Sequence, residues 1–144
     1  MDGVHVPALW AMKHPFVKKI WGSETWLENN DKYCAKILHL QSGYQCSLHY
    51  HNVKDETFIV LEGGVFLETY PVPEAYVNEG IGHCKIWTLY EGDKHRLKPK
   101  TPHRFWPTCW KGAIILEVST KHDDAHVVRL EESKKICLTD STTD

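Results

Sequence analysis

Apolar and polar residues alternate with a period of two through most of the chain, and short clusters of Gly, Pro, Asn, Asp and Ser interrupt the alternation. Side chains two apart share a face of a β-strand, so the pattern predicts short, half-buried strands. Lys18 to Glu28 reads as two strands with a turn or bulge at Gly22, and Tyr33 to Leu40 as a further strand closed by Gln41-Ser42-Gly43. Thr57 to Leu61, Val65 to Tyr70, Cys84 to Tyr90, Lys94 to Lys98, His103 to Pro107 and Val127 to Leu130 continue the series. Gly112 to Ser119 is the most continuous apolar run and is expected to be a central strand. Pro71 to Gly82 reads as a loop. About ten such strands, with no amphipathic helix among them, predict an all-β sandwich or barrel.

Length and charge narrow the possibilities. A chain of 144 residues suits one domain, residues 1–144, with an N-terminal arm to about residue 17 anchored by Trp10 and a tail from about residue 133 that frays. The formal net charge is −2 and no stripe of Lys or Arg occurs, which disfavours nucleic acid and anionic membrane as partners. No apolar stretch reaches signal-peptide or membrane-span length, so a cytoplasmic location is expected. The five cysteines are odd in number and lack CxxC spacing, against a disulfide framework or structural zinc. Cys34 and Cys46 lie in strand-like runs and read as small buried hydrophobes.

The chemistry concentrates between Gly43 and Gly63, GYQCSLHYHNVKDETFIVLEG. His49 and His51 fall on one face of a strand, shared with Ser47. Asn52 to Asp55 reads as a turn, and Glu56 opens the returning strand, so a hairpin is expected to bring two imidazoles and a carboxylate together. Such a donor set suits a divalent metal. Gly43, His49, His51, Glu56 and Gly63 resemble the first motif of the cupin superfamily. Gly92 to His103 resembles the second, although no glycine follows Pro99 and the Pro-to-His spacing is one residue short.

The resemblance implies a cupin jelly-roll barrel holding one divalent transition ion (Mn, Fe, Zn, Ni or Co) through His49, His51, Glu56 and His103. A narrower likeness runs through Trp21-Gly22, Tyr33 with Lys36, Ser47-Leu48, His51, Lys54, Glu56, Thr101-Pro102-His103-Arg104, Leu116-Glu117-Val118, Asp124 and Val128-Arg129. It resembles the cupin domain of type II phosphomannose isomerases, with His49 where that family has Gln and Lys54 where it has Arg. It implies a small carbohydrate or sugar phosphate as partner, and a sugar isomerase or epimerase of mannose-6-phosphate isomerase type. Lys54 and Glu117 are the candidate catalytic pair. Lys54 reads as acid, base or phosphate anchor, or else as a solvated turn lysine. Glu117 reads as an inward carboxylate with a raised pKa, or else as one on the strand's solvent face. Arg104, Arg129, Tyr50 and Phe58 are candidate substrate contacts. His39, His83, His95, His122 and His126 lack ligand spacing and read as exposed or structural. Two other functions fit the same ligands: a non-haem iron dioxygenase, and a non-catalytic sugar-binding or regulatory module. Analogy with other cupins adds the expectation of a homodimer.

Overall fold

The computed structural model describes residues 12–136. The strands, in chain order, are β1 (Phe16–Lys19), β2 (Gly22–Asn29), β3 (Cys34–Leu40), β4 (Tyr44–Gln45), β5 (Leu48–His51), β6 (Glu56–Glu62) and β7 (Val65–Thr69). After a short 3-10 turn at Pro73–Tyr76 come β8 (Lys85–Leu89), β9 (Lys94–Leu97), β10 (His103–Pro107) and β11 (Ala113–Ser119). A second 3-10 turn, Asp124–His126, leads to β12 (Val127–Glu131) and β13 (Lys134–Lys135). The pairings are antiparallel and form a six-stranded sheet, β1-β2-β3-β11-β6-β9, facing a five-stranded sheet, β12-β5-β10-β7-β8. This is a jelly-roll sandwich, with the apolar β11 at the centre of its sheet as expected.

The period-two stripes of the inner faces explain both the core and the position of the site. Along β3 the inward residues are Lys36, Leu38 and Leu40; along β6, Glu56, Phe58 and Val60; along β11, Glu117, Ile115 and Ala113. β10 contributes His103 and then Phe105. Every stripe runs from a polar residue at one end of the barrel to apolar residues at the other. Register brings the polar ends together, since Glu117 pairs with Lys36 on one side and, on the other, with Phe58, the inward residue next to Glu56. The apolar end closes as a core in which Trp21 and Phe105 meet edge-on at 5.4 Å and Phe58 and Phe105 at 5.5 Å.

Two turns needed backbone freedom. Gly22 joins β1 to β2 with φ +146, and a Cβ there would fall 1.8 Å from the His39 carbonyl oxygen. Lys100 has φ +65, in the left-handed region that ordinarily favours glycine, and its amide donates to the His51 carbonyl at 2.8 Å. It serves the turn for which the sequence supplies no glycine.

Three expectations change. The 43–63 stretch is not a hairpin: β5 and β6 lie in opposite sheets, and residues 52–55 cross between them. Each strand already has two neighbours, β10 and β12 for β5, and β9 and β11 for β6. The tail expected from residue 133 begins instead with β13 paired to β4, and Ile136 donates to Gly43 O at 2.8 Å. Of the arm, Phe16 and Val17 belong to β1; Trp10 lies outside the described residues. Among the described residues no helix is long and apolar enough to cross a membrane.

Candidate metal centre

His49 and His103 stand opposite one another on the paired strands β5 and β10. With His51 they offer three ring nitrogens that all lie within 4.8 Å of one another. The shortened second motif therefore still delivers its histidine, because the left-handed Lys100 completes the turn before β10. Glu56 reaches the cluster from the facing sheet, with Oε2 3.4 Å from His51 Nε2 and 3.3 Å from His103 Nε2.

The hydrogen bonds behind the rings fix which nitrogens point inward. His103 Nδ1 lies 2.8 Å from Thr101 O, and His49 Nδ1 lies 2.9 Å from Ser47 O. A carbonyl only accepts, so both Nδ1 atoms carry hydrogen and both Nε2 atoms present lone pairs. Among the described residues His103 Nε2 is buried with no hydrogen-bond partner, and it lies 3.3 Å from a Glu56 carboxyl oxygen. A cation bound by both would give that lone pair a partner, so the residues fit a divalent ion.

Electrostatics agree with that arrangement. Burial first, then the neighbouring imidazole of His103, lowers His49 well below the ordinary imidazole value. Burial lowers His51 strongly and His103 to about 4. All three rings are thus neutral near pH 7, the form in which imidazole ligates metal. Burial, reinforced by the charge of Glu117, raises Glu56.

Beside this cluster Lys54 Nζ donates to Glu117 Oε2 at 2.5 Å and lies 3.7 Å from Glu56 Oε1. Only 3% of its side chain is exposed, so Lys54 is a buried cation of the interior and no solvated turn residue. Burial pushes Lys54 down, but Glu117 and Glu56 outweigh it and hold the ammonium above its ordinary value. Burial pushes Glu117 up, but Lys54 and Lys36 outweigh it and lower the carboxyl. The expected raised pKa at Glu117 is therefore corrected: the raised carboxyl is Glu56, and proximity to Lys54 makes the difference.

His49, His51, Lys54, Glu56 and Glu117 line a cavity of about 190 Å³, whose wall also includes Glu24, Trp26, Lys36 and His122. That volume holds about six waters, or one small polyol.

Bacillus subtilis oxalate decarboxylase has the same fold, with a TM-score of 0.68 over 90% of this chain and 34% of that chain at 17% identity. KdgF from Halomonas sp. matches with a TM-score of 0.61 over 79% of this chain and 92% of that chain, at 15% identity. The chain has the cupin fold. No family model matches the sequence. In sequence, the chain is 33% identical over 115 residues to the D-lyxose/D-mannose isomerase of Thermosediminibacter oceani, covering 67% of this chain and 60% of that protein. The chain thus spans about three fifths of the isomerase and a third of the decarboxylase. A further structure of the decarboxylase concerns its Mn(II) centres.

The remaining residues singled out from the sequence divide between those that line the cavity and those that do not. Phe58 lines the cavity, its ring centroid 5.9 Å from that of His103. Arg129 also lines it, opposite His49 in the β12–β5 register. Arg104 alternates away from His103 and is held by Glu68 at 3.1 Å and Glu131 at 2.8 Å. Tyr50 alternates away from its histidine neighbours, opposite Val128, and is not among the cavity residues.

Sequence reasoning gave no site role to four residues of this wall, Glu24, Trp26, Lys36 and His122. Lys36 is 2% exposed, lies 3.6 Å from Glu24 Oε1, and sits over the Trp26 ring at 4.0 Å. Its strand position, inward like Leu38, was the available signal. His122 lies in the loop after β11, and no spacing rule reaches it. His95 packs on Trp87, with ring centroids 4.7 Å apart, outside the three-histidine cluster.

Proposed function

We propose that this cupin is a metal-dependent aldose–ketose isomerase acting on a small carbohydrate. The observation that carries the reading is the buried Lys54–Glu117 pair sharing one cavity with Glu56, His49 and His51, the last two clustered with His103. The likeness to a D-lyxose/D-mannose isomerase supports it.

His49, His51, Glu56 and His103 would hold the ion, which supplies Lewis-acid polarisation of the sugar's carbonyl and hydroxyl oxygens when bound. The protein's own residues account for the proton movements. Isomerisation moves one proton between C2 and C1 and one between the two oxygens, with no net change in redox state. Glu117, kept ionised by Lys54, takes the C2 proton and returns it at C1. Lys54, kept charged by Glu117, places its ammonium where negative charge develops on oxygen, gives a proton to O1 as the C2 proton leaves, and takes one back from the O2 hydroxyl as C1 is protonated. Burial excludes bulk water from both.

The substrate favoured is an uncharged aldose such as D-lyxose or D-mannose. Both buried lysines are already matched by carboxylates, Lys36 by Glu24 and Lys54 by Glu117, leaving neither as a free counter-charge for phosphate. The test incubates the full chain, loaded in turn with Mn, Fe, Zn, Ni and Co, with free aldoses and with aldose phosphates. Ketose formed from free sugar, and lost in Glu117→Gln, is the expected result; no ketose with any ion would overturn the proposal.

A further inference from the structure

We infer that His122 and Asp124 form a positioning dyad that holds the Lys54 ammonium in place against Glu117. The catalytic consequence rests on the isomerase reading above; the geometry does not. His122 Nδ1 lies 3.0 Å from Lys54 Nζ, and His122 Nε2 lies 2.7 Å from Asp124 Oδ1. An ammonium can only donate and a carboxylate only accept, so the two contacts together select one ring form. Hydrogen sits on Nε2 and points to Asp124, while the lone pair of Nδ1 receives Lys54. The opposite tautomer, or the imidazolium, would set an N–H against the ammonium.

The ring is built into its place. Asn29 at the end of β2 clamps the His122 backbone from both sides: its Nδ2 donates to His122 O at 3.2 Å, and its Oδ1 accepts from His122 N at 3.0 Å. Trp26, also on β2, meets the imidazole edge-on with centroids 5.2 Å apart. The loop that carries His122 continues directly from β11, the strand of Glu117. One strand and its following loop therefore grip the same ammonium, Glu117 from one position and His122 from another. Lysine needs such a second grip because its four-carbon stem is flexible, and one carboxylate leaves several stem conformations open. With the stem fixed, the same nitrogen stays available to the substrate's oxygens throughout the proton transfers.

The groups facing this ammonium are Glu117, Glu56 and His122, and Asp124 reaches it only through the ring. Asp124 is 86% exposed, so its replacement threatens the fold least.

Three variants and one spectrum test the dyad. His122→Asn keeps an acceptor at the Nδ1 position, His122→Leu removes it, and Asp124→Asn replaces a carboxylate that can only accept with an amide that can also donate to Nε2. In the Zn(II)-supplemented full chain, diamagnetic and therefore readable by 15N NMR, His122 is expected to show an unprotonated Nδ1 and a protonated Nε2. Asp124→Asn should shift hydrogen toward Nδ1. In turnover, His122→Leu should lower kcat by about 10- to 100-fold with KM little changed, as loss of an orienting partner does. His122→Asn should restore most of that loss, which a merely structural role would not produce. A protonated Nδ1 in the wild-type spectrum, or equal kcat for the Leu and Asn variants, would overturn the inference. Should His122→Leu fail to fold, the Asp124→Asn spectrum decides alone. A wild type without isomerase activity but with the expected tautomer would sink the functional reading and leave the dyad standing.

Discussion

Lys54, in the crossover between the two sheets, and Glu117, near the end of the central strand, meet 63 residues apart in sequence with nitrogen and oxygen 2.5 Å apart. The pair is almost wholly buried, so neither partner can be removed without leaving the other's charge unpaired in the interior. Lys54→Met should destabilise the protein by about 3–5 kcal/mol, and the double variant Lys54→Met/Glu117→Leu should recover much of that loss. Chemical denaturation of the two singles and the double closes the cycle. Additive losses would show that the pair is not coupled.

Activity should respond differently from stability at the two arginines. Arg104 lies on the far face of β10, between Glu68 and Glu131, so Arg104→Ala should lower the melting temperature and leave the sugar KM unchanged. Arg129 lines the cavity, and losing one charge-assisted hydrogen bond to a sugar hydroxyl should raise KM about tenfold in Arg129→Ala. Steady-state kinetics on both variants separates these roles; the reverse pattern would place the substrate on the other face.

A single methyl group at Gly22 should be severe. The backbone there has φ +146, and the added carbon meets a carbonyl that cannot swing aside. Gly22→Ala is expected to cost more than about 3 kcal/mol, visible as a lowered denaturation midpoint or loss of soluble protein. A midpoint within error of the wild type would mean that the β1–β2 turn accommodates an ordinary residue.

Period-two alternation is a local property, and it located strands such as β3, β6, β10 and β11 because each buries one face. The same property placed His49 and His51 together and made Glu117 a candidate inward carboxylate. It could not say which strands pair. The spacing of His51 and Glu56 looks the same whether residues 52–55 make a hairpin or a crossover between sheets, and only long-range pairing decides. Arg104 and Arg129 illustrate the same limit: both follow strand-like patterns, and only the identity of their neighbours determines which one meets the cavity. β4 and β13 are two residues each, too short for any alternation to show. His122 reaches the site through a loop clamped by Asn29, 93 positions earlier, a relation no motif encodes.

The metal-free protein should have a stability maximum near neutral pH. His49, His51 and His103 are lowered in the folded state, chiefly by burial, whereas in the unfolded chain they titrate near about 6.5. Below that pH the unfolded state binds more protons, so the stability these rings contribute is lost as pH falls, through about 4 for His103. Glu56 has the opposite sign: its folded carboxyl is raised, so its contribution falls as pH rises above the ordinary carboxylate range. Thermal melts of chelator-treated protein should therefore decline on both sides, and added metal should flatten the alkaline limb by holding Glu56 as carboxylate. Melting temperatures that climb on acidification to pH 5 would contradict this balance.

Isothermal titration of the chelator-treated chain with Mn(II), checked by elemental analysis after gel filtration, addresses the metal centre itself. One ion per chain is expected for the wild type, with His103→Ala and Glu56→Ala losing it while His95→Ala retains it. No retained ion in the wild type, or full occupancy in the His103→Ala variant, would contradict a site made of His49, His51, Glu56 and His103.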